Sequence, residues 1–186
     1  MKKEKVVFVL IGQRGSGKSS YGTRLIKDQP ELIPISRDEI LVRRFGSVHT
    51  SPYSGSNQHV HVVIHRLLRR KLCTQTGISI LLDTWTENSQ QRKLLVKKLR
   101  EYGANRIVAL YFITPLEVVE TWFWKKPGIA KMSEMSTRQG QGLSFFSENA
   151  SARDYELFHK LASEINSDGF DKVVRIDPRE KLIILS

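Results

Sequence analysis

One cysteine, Cys73, is all the thiol this 186-residue chain carries, which excludes an internal disulfide framework. Such usage fits a reducing, intracellular setting. No apolar run approaches the ~20 residues needed to cross a bilayer, so neither a membrane-spanning helix nor a membrane partner is expected. The basic start, Met1 to Lys5, leads into an apolar run of residues 6–11 only, too short for a secretory signal. A cytoplasmic location is the expectation. Acidic residues are scarce as well: 19 Asp and Glu against 30 Lys and Arg leave a formal net charge of +11. That excess points to an anionic partner: nucleic acid, nucleotide or, by charge alone, an acidic membrane surface. The basic clusters at 66–71 and 97–100 fit a solvated helix face equally well.

What is present is enough for a core, with 40% of residues hydrophobic. The length suits one domain over residues 1–186, with no internal repeat and no dividing linker. Residues 6–11 form a continuous apolar run, as in a strand buried on both faces. A glycine loop follows, then a helix over 18–28 that ends before Pro30. Strands are predicted at 32–35, 78–82, 106–112 and 172–176, with a last one at 182–185. Helices are predicted at 38–45, 58–76, 89–102, 115–124 and 153–165. Within them Gly77 would cap the helix over 58–76, and Ser89 would serve as N-cap of the next. Strands alternating with helices predict an α/β fold with a mostly parallel sheet covered on both faces.

The strongest local feature is Gly12-Gln13-Arg14-Gly15-Ser16-Gly17-Lys18-Ser19, which fits G-x-x-x-x-G-K-S/T between a buried strand and a helix. Glycines let successive backbone N–H groups converge on a phosphate without Cβ clashes, and the helix N-terminus adds positive potential. Lys18 is placed for the β- and γ-phosphates and the Ser19 hydroxyl for Mg²⁺. The expected nucleotide contacts are Gly12, Gly15, Ser16, Gly17, Lys18, Ser19 and Ser20. Arg14 contributes mainly backbone, with an anion contact as the other option. ATP and Mg²⁺ are therefore the expected cofactors, on a three-layer α/β/α sandwich of the P-loop NTPase type.

The remaining loops narrow the branch. Asp83 closes an apolar strand, as a metal-site acid would, yet Thr84 and Trp85 do not continue into the Asp-x-x-Gly of GTPases. No Asn-Lys-x-Asp stretch for reading guanine exists either, so a small kinase fits best. Ile35-Ser36-Arg37-Asp38-Glu39-Ile40 falls about twenty residues after Lys18, at the end of a short strand. Together with the P-loop and Leu81-Leu82-Asp83-Thr84, it resembles the predicted-kinase branch of P-loop proteins, which includes phage polynucleotide 5′-hydroxyl kinase and zeta-toxin kinases. The resemblance spans about residues 6–126. It implies a nucleoside-kinase-like fold and transfer of the γ-phosphoryl group of ATP to a hydroxyl acceptor. The acceptor is a polynucleotide 5′ end or a small nucleotide or sugar compound.

By the same resemblance, Asp38 is the base that takes the acceptor hydroxyl's proton, the alternative being a helix N-cap that Ser36 could supply instead. Arg37 and Arg43 are candidate acceptor-side contacts. Asp83 is read as a ligand to Mg²⁺ through water or as a substrate-orienting acid, against a plain turn cap. Residues 125–150 sit where such kinases close a basic flap, with Lys125, Lys126, Lys131 and Arg138 as candidates and Arg138 taken as catalytic. Two departures stand out: Trp122 and Trp124 occupy the approach to the flap, and Leu41 replaces the arginine expected three residues after the base. Trp85, Trp122 and Trp124 could stack a base or line a groove. His61 and His65 are four apart on one helix but lack a spaced third ligand, so no zinc site is expected. The competing reading is an ATP-dependent nucleic-acid-binding module with little or no kinase activity.

Overall fold

The computed structural model describes residues 4–46, 56–84, 86, 88–125 and 150–181. Strand β1 (Lys5–Ile11) runs into the glycine loop and helix α1 (Lys18–Asp28). Then come β2 (Leu32–Ser36), α2 (Arg37–Phe45), α3 (Ser56–Thr74), β3 (Ile78–Asp83) and α4 (Ser89–Glu101). They are followed by β4 (Arg106–Phe112), α5 (Leu116–Trp124), α6 (Ala150–Ala162), a 3₁₀ turn (Ile165–Ser167) and β5 (Lys172–Ile176). All strand pairs are parallel, in the order β2-β3-β1-β4-β5.

Strand period 2 sorts the apolar residues of β1 onto two faces. Val7, Val9 and Ile11 join Ile80, Leu82 and Ala109 beneath α3 and α4, where Val60, Ile64, Leu68 and Leu72 of α3 form one buried stripe. Val6, Phe8 and Leu10 pack with Val108, Leu110 and Phe112 against Tyr21 and Leu25 of α1. Helices on both faces of a fully parallel sheet are the α/β arrangement that the alternation of elements implies.

Several local expectations change. The N-cap of α4 is Asn88, whose side-chain oxygen accepts from Gln91 N at 2.8 Å. Ser89 turns its hydroxyl to Asp168 instead. Helix α3 stops at Thr74, and Gly77, at φ +66°, turns the chain into β3 rather than capping the helix. Ile165 lies past the end of α6 yet remains buried, because the 3₁₀ turn carries it back to the core. The strand expected at 182–185 falls outside the described residues.

Asp168 organises the least expected part of the core. It and Arg92 form a fully buried ion pair through Arg92 Nε, and Arg92 also donates to the Thr86 carbonyl at 3.0 Å. Thr86 in turn donates to the Leu10 carbonyl at 3.4 Å. One network therefore fastens the segment after β3 to both β1 and the approach to β5.

Three histidines have environments that disfavour their charged forms, His65 half-buried and His61 and His159 on exposed helix surface. Burial, then Arg37, lowers the pKa of His61; burial, then His61 and Lys98, lowers that of His65; burial lowers that of His159. Tyr102 Oη lies 3.2 Å from His65 Nδ1. With native values below the unfolded value of 6.5, the unfolded chain binds protons first as pH falls. Their stabilising contribution is complete above pH 6.5 and declines through the window below it. The melting temperature is expected to drop on acidification through that window, and less steeply in His65→Gln. An equal slope in both proteins would remove His65 from this account.

Candidate active site

The loop leaving β1 is shaped by close approach. A Cβ on Gly12 would stand 2.8 Å from Ser16 Oγ and 2.9 Å from Phe112 Cβ. Gly15 and Gly17 have φ of +80° and +83°, and a Cβ at Gly17 would come within 2.7 Å of the Trp122 ring. Such backbone is strained for any residue with a side chain. Ser16 donates to the Gln13 carbonyl at 2.8 Å, while the buried Thr114, just past β4, donates to the Ser16 carbonyl at 2.8 Å. The loop is thus pinned from within and from the neighbouring strand.

Helix α1 opens on Gly17 with no side-chain cap and no acid in its first turn. Its N-terminal N–H groups and dipole therefore offer an anion-compatible end. Lys18 Nζ is folded onto the loop, donating to the carbonyls of Gly12 at 2.5 Å and Gln13 at 2.7 Å. Ser20 is exposed in the first turn of α1.

Parallel register brings the other residues alongside. Leu10 of β1 and Ser36 of β2 both pair with Asp83, so the three strands end in a row. Ser19 Oγ donates to Asp83 Oδ2 at 3.1 Å, joining the phosphate loop to the end of β3. Ser36 caps α2 by accepting from Glu39 N at 3.4 Å, so the cap role considered for Asp38 falls to Ser36. Asp38 instead accepts from Arg37 Nη1 at 2.8 Å. A cavity of about 370 Å³ lies between α1 and α2, and Ser19, Asp38, Asp83 and Arg43 all line it.

Other expected residues are not gathered there. Arg37 is absent from the cavity lining and faces the Asp38 carboxylate. The Arg14 guanidinium points to α6, with Nε 2.7 Å from Asp154 Oδ2 and its carbon 5.4 Å from the centre of the Phe123 ring. Leu41 is buried in the core. Trp122 covers Gly17, which makes it wall rather than an open stacking platform, whereas Trp124 is partly exposed against Phe123. Trp85, Lys126, Lys131 and Arg138, with most of the expected flap, lie outside the described residues. Sequence reasoning missed Glu39 and Thr23, which line the cavity, and Asp154. Glu39 carried a signal, since it follows Asp38 in the first turn of the same helix. Asp154, 140 residues from Arg14, carried none.

A profile of the AAA domain family matches residues 7–141, from β1 into the segment after α5. The chain belongs to the AAA domain family. None of the curated protein sequences matches this AAA domain. In fold it is similar to a chain of the Pnkp1/Rnl/Hen1 RNA repair complex, at TM-score 0.65 and 18% identity over 89% of this chain and 47% of that one. This AAA domain thus spans about half the length of that protein. It is also similar to a chain of the PezAT toxin-antitoxin system of Streptococcus pneumoniae, at TM-score 0.59 and 14% identity, covering 98% and 71%. Shikimate kinase from Acinetobacter baumannii aligns at TM-score 0.51 and 14% identity, covering 96% and 88%. The shared element is the P-loop kinase α/β fold. Among the described residues of this AAA domain, no helix is long and apolar enough to cross a membrane.

Proposed function

We propose that this chain is a P-loop kinase that moves the γ-phosphoryl group of ATP to a hydroxyl acceptor. One observation carries the reading: the Ser19–Asp83 pair and Asp38 border a single cavity beside the start of α1. The fit of a triphosphate is supported by the cradle that a Cβ at Gly12 would fill and by the uncapped start of α1. Gly12, Gly15, Ser16, Gly17 and Ser20 would contribute the loop and first-turn backbone, and Lys18 would exchange its loop carbonyls for phosphate oxygens. Ser19 and Asp83 would hold Mg²⁺. When bound, Mg²⁺–ATP supplies an activated phosphoryl group whose charge is partly neutralised.

The chain's own work is to position and to accept a proton. Asp38 takes the proton of the acceptor hydroxyl as that oxygen bonds to phosphorus and ADP departs. Arg37, donating to the same carboxylate, orients it for transfer. Arg43, at the cavity margin, is an acceptor-side contact, and Arg138 in the segment at 125–150 is assigned to the phosphoryl group in flight. We place all of this in one domain acting in the cytoplasm.

A second reading, a nucleotide-dependent nucleic-acid binder, has its own observation. Arg66, Arg69, Arg70, Lys93 and Lys97 are exposed on α3 and α4, and α3 contains no Asp or Glu. Phosphate transfer from labelled ATP to 5′-hydroxyl oligonucleotides and to pooled small alcohols separates the two. Transfer to any acceptor supports the kinase; salt-sensitive RNA binding with no transfer supports the binder.

A further inference from the structure

We infer that the acceptor occupying the cavity between α1 and α2 is a non-anionic hydroxyl compound of nucleoside size with an apolar face. The inference rests on the kinase reading above and adds the acceptor's chemistry. About 370 Å³ stands at the lower end of the ~300–1,000 Å³ usual for small-molecule sites. That space takes one ring system and its substituents.

The walls set the polarity. Leu10, Ile26, Pro34, Ile35, Val42 and Leu81 supply apolar surface on three sides. Val42 is 49% exposed, so core packing does not account for an apolar residue at this margin. An apolar ligand face would cover it and gain from the burial.

Charge argues in the same direction. Asp38, Glu39 and Asp83 bring three carboxylates to the lining, and Arg43 is the single cation among the described lining residues. The Arg43 guanidinium already lies 3.7 Å from Glu39 Oε2. A phosphate carried by the acceptor would enter beside Glu39 and Asp38 and have to compete with those carboxylates for Arg43 and Arg37, the guanidiniums they already hold. A neutral or amine-bearing alcohol meets no such competition.

The test is calorimetry on the full chain, with and without Mg²⁺ and a non-hydrolysable ATP analogue. The probes are matched pairs, free nucleosides and aryl glycosides against their monophosphates. The non-anionic member should bind at least about tenfold more tightly, and Glu39→Lys should shrink or reverse that ratio. Glu39→Gln, closer in shape, should shrink it less. Monophosphates that bind as well as their partners overturn the inference, as does a panel in which no non-anionic member binds. The kinase reading fails separately, through absent binding of the ATP analogue.

Discussion

Asp38→Asn is expected to lower phosphate transfer by about 10²–10⁴-fold, the range a positioned general base contributes. Affinity for Mg²⁺–ATP should stay within about threefold, because the nucleotide contacts are assigned to the loop and α1. The substitution suits the local structure. Ser36, not Asp38, caps α2, so the helix start is preserved. The Arg37–Asp38 pair involves a carboxylate 57% exposed, and exposed pairs contribute only about 0–1 kcal/mol. Loss of activity therefore cannot be traded for loss of fold, and an unchanged melting curve checks this. Full transfer by Asp38→Asn would remove the residue as base while leaving the nucleotide site intact.

The largest effect on stability is expected at Asp168. Its pair with Arg92 is fully buried, and Ser89 donates to the same carboxylate. Asp168→Ala leaves a guanidinium without its counter-charge in the core, a change that costs about 3–5 kcal/mol. For a chain this long that lowers the melting temperature by roughly 6–20 °C. A double variant, Arg92→Met with Asp168→Leu, should recover much of the loss, since it removes both charges rather than stranding one. Thermal unfolding of the three proteins makes the comparison. A single variant as stable as the native chain would mean that water reaches and satisfies Arg92. The same network grips the Thr86 carbonyl, so the single variant should also loosen the segment that follows Asp83.

Features that depend on local periodicity were legible in the amino-acid order. The bounds of α1, β4 and β5 follow from apolar runs and their breakers, and the i, i+4 stripe of α3 from its valine, isoleucine and leucines. The phosphate loop was legible because its geometry needs glycine at fixed positions: Gly17 takes positive φ, and at Gly12 a Cβ would meet Ser16 and Phe112. Caps proved harder. Asn88 and Ser89 are both competent N-caps, and which one serves depends on Asp168, 79 residues beyond Ser89. Pairing of charges across the chain leaves no periodic trace, so Arg14 with Asp154 and Arg92 with Asp168 emerged only in three dimensions. The cavity likewise depends on the register that lines up Leu10, Asp83 and Ser36, which individual strand signals do not encode.

Whether this chain uses a nucleoside triphosphate is decided most directly by titrating Mg²⁺–ATP into the native protein and into Lys18→Ala by calorimetry. Native protein should give saturable one-site binding, weakened at least about tenfold by the substitution, because a charge-assisted contact to phosphate contributes ~1.5–3 kcal/mol. Heat flow indistinguishable from dilution, or equal affinity in both proteins, would contradict the assignment of the loop at Gly12 to Ser19 as a phosphate cradle.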